Sequence, residues 1–376
     1  MNELPTPVFP ASLKKMFHIF DRLIFRLAEQ PRNSLLFVLV LTFCLHGFRS
    51  TQTDYFKIAQ SPFEPYNGVQ YVQDSIFLPL SAYYLGLNQS QFQFDFYTIC
   101  AYLLALALIY VFGHKKFRPE LTLFLATTAA LSPASLVSLS WPGMPDAFTI
   151  LFSVLAVFSN SIPILFLTGL LGFSNHPQFI LIAVSLSILR LAAREKAFRI
   201  EQAVALLAGT IAGYAMVQTF LSYYQISIEI NRLQAMFEYD LSFWLESKLL
   251  EAPLSLFSLY QGIWFILPVC VLYGFRRNPP YYILFLALQA AAGAVTLFVL
   301  DTTRIFSLLT IGTLLHAVAF TYHTIEEEYR PSLRWLLTAI LIAAIFLPRY
   351  VIMSGQMYMP PTSLIPYMIL SLFLGT

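Results

Sequence analysis

Four polar clusters interrupt an apolar chain, and each holds a side chain suited to acid–base or phosphate chemistry. The first is FRSTQTDYFKIAQSPFEPYNGVQYVQDSIFLPLSAYYLGL, which follows the first apolar run. Asp54 stands a few residues beyond that run, beside Lys57, and Glu64 and Asp74 follow. A carboxylate at a water–lipid boundary, screened by Tyr55, Phe56 and Phe63, is a candidate general base. The plainer alternative is a solvated loop acid paired with Lys57.

The second cluster is Trp141-Pro-Gly-Met-Pro-Asp146, which two prolines and a glycine make a rigid turn. Asp146 precedes the apolar run AFTILFSVLAVF, so it is either a helix N-cap or a functional acid. Trp141 is either an interfacial anchor or a stacking platform for a sugar ring. The third is Ser174-Asn-His176-Pro-Gln178. A histidine between two apolar runs is costly unless wet or paired. His176 could hold a phosphate oxygen, relay a proton or cap a helix, and with no second histidine nearby a metal is weakly supported. The fourth is Asp301-Thr-Thr-Arg304. Acid and base at i, i+3 can pair on one helical face, and the planar arginine fork suits phosphate. Either Arg304 holds a lipid-linked phosphate that Asp301 orients, or the two form a structural ion pair. Arg349 is a second candidate phosphate ligand, with snorkelling at the interface as its alternative.

The elements that position these clusters follow from composition. The chain has 376 residues, of which 58% are hydrophobic, 16% aromatic and 11% charged. Mean hydropathy is +0.68. Soluble proteins carry about 25% charged residues, and a soluble domain could not hide this much apolar surface. An ordinary soluble enzyme, a disordered chain and a nucleic-acid binder are excluded; the net charge of +2 offers no basic field. Cys44, Cys100 and Cys270 are scattered without CxxC spacing, which argues against a disulfide scaffold or a thiolate cluster.

The reading is an all-α, polytopic membrane protein with about 10–12 transmembrane helices, since a crossing needs about 20 apolar residues. Candidate spans lie near 34–48, 97–113, 121–139, 147–160, 161–173, 178–193, 202–221, 257–274, 281–300, 305–322, 335–350 and 363–375. Residues 1–33 form a cytoplasmic N-terminal segment, with 12–29 amphipathic and lying on the membrane. Residues 34–376 form one transmembrane domain with outer loops 49–95 and 222–256. Residues 75–87 suit a helix along the outer interface. With the N-terminus cytoplasmic, 16 of 22 lysines and arginines fall inside, as the positive-inside rule requires. The cytoplasmic connections read as anchors and turns. His46 and His316 read as buried or lipid-adjacent, and Glu326, Glu327 and Glu328 as a solvated run. Asn88-Gln-Ser90 fits a glycosylation sequon. No Walker A, GxGxxG, GxSxG or HExxH pattern occurs.

This layout resembles the GT-C class of integral membrane glycosyltransferases over roughly residues 30–322. Asp54 occupies the place of that class's first-loop acid. Glu64-Pro-Tyr-Asn-Gly followed by Phe77-Leu-Pro-Leu-Ser-Ala-Tyr-Tyr-Leu-Gly86 looks like the proline-and-apolar stretch after it. Pro145-Asp146 and Asp301-Thr-Thr-Arg304 look like its turns. The resemblance implies interfacial helices in the first outer loop, placement in the cell (inner) membrane, a polyprenyl-phosphate-linked sugar donor and membrane lipids as neighbours. Asp54 would be the general base, with Glu64 and Asp146 as further acids. Lys57, Trp141, His176, Asp301, Arg304 and Arg349 would contact substrate. The acceptor stays open among glycan, lipid and protein, and so do partner subunits. No cofactor follows; a divalent cation (Mg or Mn) stays open, because the first loop holds no DxD or ExD pair. The alternatives are a polysaccharide polymerase or ligase, a transporter or flippase, and a non-catalytic scaffold.

Overall fold

The computed structural model describes residues 25–47, 53–195, 198–229, 252–325, 327–353 and 356–359, with Arg22, Gln234, 242–244 and Glu246 as isolated positions. The N-terminal amphipathic segment, most of loop 222–256 and the span 363–375 fall largely or wholly outside them.

The chain is almost entirely helical: α1 (Pro31–His46), α2 (Asp54–Gln60), α3 (Phe77–Tyr84), α4 (Gln91–Lys116), α5 (Pro119–Leu131), α6 (Pro133–Ser140), α7 (Asp146–Phe158), α8 (Ile162–Asn175), α9 (Phe179–Ala192), α10 (Ile200–Tyr223), α11 (Ala252–Tyr260), α12 (Ile266–Gly274), α13 (Pro279–Thr296), α14 (Thr302–Thr324) and α15 (Arg330–Phe346). Among the described residues the exception is an antiparallel hairpin, β1 (Val351–Met353) with β2 (Gln356–Tyr358), in which Val351 faces Tyr358. Prolines open α1, α5, α6, α8, α13 and α15, where their missing N–H and fixed φ fit the first turn. The hydroxyls of Thr53 and Ser90 and the amide of Asn278 cap α2, α4 and α13.

Four helices are long and apolar enough to cross a membrane: α4, α10, α14 and the run Ala252–Gly274 through α11 and α12. The pair α5–α6, bent by 52° at Ser132-Pro133, is a fifth if it counts as one span. Pro133 has no N–H to give Ala129, and the bend is compensated locally. The Ser132 and Ser135 hydroxyls bond the Ala129 carbonyl, and His46 bonds that of Ala130 at 2.7 Å. The expectation of 10–12 crossings exceeds this at 34–48, 281–300 and 335–350, and most of all in the stretch 147–193. That stretch folds as α7, α8 and α9, of 13, 14 and 14 residues. Each reaches about 20 Å, less than the hydrocarbon thickness. The polar breaks Ser159-Asn160-Ser161 and His176-Pro177-Gln178 cut them short.

α14 is the axis of the bundle, with 94% of its apolar window buried. It packs against α5, α6, α7, α9, α11, α12, α13 and β1. Hydroxyls in its middle bond its own turns: Thr310 bonds Phe306 O at 2.8 Å and Thr321 bonds Ala317 O at 2.7 Å. α8 and α10 lie almost in backbone contact. A Cβ at Gly209 would come within 2.8 Å of the Phe166 carbonyl carbon, so only glycine permits this approach.

Candidate functional site

The turns that interrupt the apolar runs meet at one end of the bundle. Thr53 starts the construction. Its hydroxyl accepts from Phe56 N–H and donates to Gly143 O at 3.2 Å. Gly143 N–H donates to Thr98 Oγ1 at 2.9 Å. Gly143 has φ +83°, and a Cβ there would sit 2.9 Å from Asp95 Oδ1. The turn 141–146 is thereby locked between α2 and α4. The third turn joins through Asn175, whose Nδ2 donates to Pro145 O at 2.8 Å and to Thr149 Oγ1 at 3.0 Å.

The fourth turn joins through charge. Arg304 Nε donates to Asp146 Oδ2 at 2.8 Å and Nη2 to Asp146 Oδ1 at 2.9 Å, a two-pronged pair. Its Nη1 reaches Asp301 Oδ2 at 3.2 Å. The Asp146 side chain is 1% exposed, that of Arg304 8% and that of Asp301 26%. Two acids around one base leave this trio net negative. Next to Arg304, Thr303 Oγ1 donates to Ser258 Oγ at 2.7 Å and accepts from Ile352 N–H at 2.9 Å. The hairpin is thereby tied to the same end.

Asp54 opens α2 with its carboxylate partly exposed. Tyr66 Oη donates to its Oδ1 at 2.6 Å, and Lys57 Nζ lies 3.5 Å from the same atom. Burial, then the hydrogen bond to Asp54, raise the Tyr66 phenol above its ordinary value, so it remains an O–H donor. Tyr66 and Asp54 together raise the Lys57 ammonium, which remains a cation at the exposed rim. The next residue, Tyr55, is buried and within electrostatic range of Arg304. This links the Asp54 helix to the ion-pair trio.

Several expectations change. Asp146 is not an N-cap: Pro145 holds that position, and the Asp146 side chain turns to Arg304. Arg304 is held by two carboxylates, Asp146 and Asp301. Trp141 packs on Tyr358 with ring centres 4.9 Å apart, and that face is not presented to a sugar. His176 is fully buried at the end of α8, away from a water-borne substrate. Glu64 is exposed; its backbone carbonyl accepts from Gln73, and its carboxylate is not drawn into the cluster. Arg349 does not snorkel. It is buried and donates to Ala344 O at 3.0 Å. Tyr66 as the partner of Asp54, Thr53 and Asn175 were not foreseen as organisers of the site; only the loop-flanking position of Thr53, typical of a cap, was a local signal. Among the described residues no three of His, Cys, Asp and Glu are grouped to hold a metal ion.

A second polar cluster lies at the opposite ends of the same helices, where sequence suggested only anchors. Arg190 caps the end of α7 through Ala156 O at 2.6 Å and Ser159 O at 2.9 Å. It also pairs with Glu195 at 3.0 Å. Glu195 accepts from His316 Nε2 at 2.6 Å, and Tyr281 Oη meets His316 Nδ1 at 2.8 Å. Both His316 ring nitrogens are thereby engaged, one with Glu195 and one with Tyr281. A largely apolar groove of about 580 Å³ lies between the starts of α8 and α10, lined by Ile162, Phe166, Ile200 and Val204. It is about 20 Å along α8 from His176.

No family model, curated protein or solved structure matches the chain.

Proposed function

We propose that the chain is a GT-C-type membrane glycosyltransferase that moves a sugar from a polyprenyl-phosphate-linked donor to an acceptor at the outer face, with the N-terminus cytoplasmic in the inner membrane. The observation that carries this reading is the gathering of the polar turns at one end of the bundle, with the partly exposed Asp54 carboxylate on the helix bonded to them. Asp54 is oriented by Tyr66 and flanked by Lys57, and the cap of its helix, Thr53, is bonded to the turn that carries Asp146 of the Asp146–Arg304–Asp301 trio.

In this reading Asp54 takes the proton of the acceptor hydroxyl as its oxygen attacks the anomeric carbon. The bond from that carbon to the phosphate oxygen breaks, and the electron pair leaves with the phosphate. Attack from the opposite face inverts the anomeric centre. Lys57 neutralises charge that grows on the leaving group. Arg304 acts as a positioning residue: it holds the turn at 146 to the start of α14, because its fork already belongs to two acids. A polymerase or ligase would use the same arrangement. The transporter reading draws on one observation, the buried Arg190–Glu195–His316 cluster, because intramembrane ionisable groups mark translocation paths.

The test is transfer from a radiolabelled polyprenyl-phosphate hexose in proteoliposomes. Asp54→Asn should lose transfer by about 10²-fold or more, the usual scale for a general base, while remaining folded and inserted. Lys57→Met should lower turnover with less effect on donor affinity, since its charge acts as the leaving group departs. Full transfer by Asp54→Asn would end the proposal.

A further inference from the structure

Tyr66 donates to Asp54 Oδ1 at 2.6 Å from a stretch of turns and bends between α2 and the short 3-10 turn Gln70–Asp74. No regular element holds it there, and two other residues account for its position. Gln73, in the 3-10 turn, is 4% exposed, and its carboxamide is engaged at both ends. Its Oε1 accepts from Tyr66 N–H at 2.9 Å, and its Nε2 donates to Glu64 O at 2.9 Å. The side chain thereby splints the backbone on both sides of Pro65, which has no N–H to contribute. The turn that carries Gln73 is itself anchored. Val72 is buried in the core, and Gln70 Oε1 accepts from Glu229 N–H at 3.0 Å.

Gly68 acts through its missing side chain. A Cβ there would fall 2.7 Å from Tyr66 Oη and closer still to the ring carbons Cε1 and Cζ. The ring fills the space that any larger residue at 68 would take. The obstacle is the far end of a side chain and not backbone, so an alanine is accommodated by displacing the ring, and that takes the hydroxyl off Asp54. The donors to Asp54, Tyr66 Oη and Lys57 Nζ, converge on Oδ1. Among the described residues Oδ2 receives no hydrogen bond, on a side chain that is 36% exposed.

We propose that Gln73 and Gly68 are positioning residues that act through Tyr66: they fix its hydroxyl on Asp54 Oδ1 and leave Oδ2 as the oxygen that takes the acceptor proton. The placement of Tyr66 stands by itself, whereas the role of Oδ2 rests on the transferase reading. In that step the acceptor O–H bond breaks and the proton goes to Oδ2. The freed electron pair forms the bond to the anomeric carbon as the phosphate leaves with its own pair.

The experiment uses the full chain in proteoliposomes and three readouts. These are amide hydrogen exchange at Tyr66, nitration of Tyr66 by tetranitromethane followed by mass spectrometry, and transfer from the polyprenyl-phosphate hexose. Gln73→Met should speed both exchange and nitration at Tyr66. Gly68→Ala should keep slow exchange and the wild-type Tm but speed nitration, because the hydrogen bond to Asp54 that helps to raise the phenol is lost. Tyr66→Phe should keep slow exchange at residue 66. In all three, kcat should fall about tenfold or more, the scale of a misplaced catalytic group, with KM for the donor little changed. Should Gln73→Met not fold, Gly68→Ala carries the test, since a merely structural role predicts wild-type kcat at wild-type Tm. Wild-type exchange and nitration in Gln73→Met and Gly68→Ala would overturn the placement. Wild-type kcat in Tyr66→Phe would overturn the role given to Oδ2. A wild type without transfer would end the transferase reading, and exchange and nitration would still decide the placement.

Discussion

Asp146→Asn should be the most damaging single change at the gathered turns, because it breaks a fully desolvated ion pair from one side. The Asp146 and Arg304 side chains are 1% and 8% exposed and joined by bonds of 2.8 and 2.9 Å. Removing one partner of a buried pair costs about 3–5 kcal/mol, since the other charge is left uncompensated. Asp301 still reaches Arg304 by a single 3.2 Å bond and is more exposed, so the lower end, about 3 kcal/mol, is expected. In a chain of this size that is a fall in Tm of roughly 6 °C. Asp301→Asn should cost about 1 kcal/mol or less. The decisive member is the double variant Asp146→Leu with Arg304→Met. It removes both charges and should recover most of the loss, giving a coupling energy of about 2–3 kcal/mol in the cycle. The assay is thermal unfolding in detergent of the wild type, the two single variants Asp146→Leu and Arg304→Met, and the double. Additive losses would refute the claim that these residues act as a pair. Loss of donor binding in Arg304→Lys without loss of Tm would return Arg304 to the phosphate.

Three further outcomes follow from other parts of the bundle. Burial opposes the Glu195 carboxylate, but His316 and then Arg190 outweigh it and hold its pKa near 2, against an ordinary value of 4.5. A lowered folded value means stability that is full above about pH 4.5 and lost as pH falls toward 2. Glu195→Gln should therefore lower Tm at neutral pH by the equivalent of about 2 kcal/mol, allowing for a side chain that is 29% exposed, with the difference closing in acid; a constant difference at every pH would contradict this. Gly209→Ala should separate α8 from α10, because the added methyl meets the Phe166 carbonyl. A loss of about 2 kcal/mol is expected on the scale of overpacking, and wild-type Tm would show that the contact yields. Asn88 is buried and spends its amide on Ala59 O at 2.7 Å. The sequon should stay unmodified when the chain is made in eukaryotic membranes, and a glycosidase-sensitive shift in mobility would show otherwise.

What was legible in the sequence, and what was not, separates along the range of the interactions. Helical, apolar character is a local property, and the sequence shows it in nearly every element. The polar residues that organise the site were legible by type. An acid or arginine between apolar runs must find water or a partner, which singled out Asp146, Asp301, Arg304 and Arg349. Their partners were not legible. Asp146 and Arg304 stand 158 positions apart, and Glu195 and His316 stand 121 apart. Nothing in local spacing says that α14 runs past α7 at one end and the loop after α9 at the other. Local rules also misled where a long-range partner competed with them. The N-cap rule favours Asp146 as a cap, but a buried arginine outbids two backbone N–H groups that α7 can leave to its first turn. Hydropathy counted α7, α8 and α9 as crossings because it registers apolar content, whereas serine and asparagine breaks set their length. Burial of a charge implies a partner, and topology supplied Glu195 for Arg190 and Asp146 with Asp301 for Arg304.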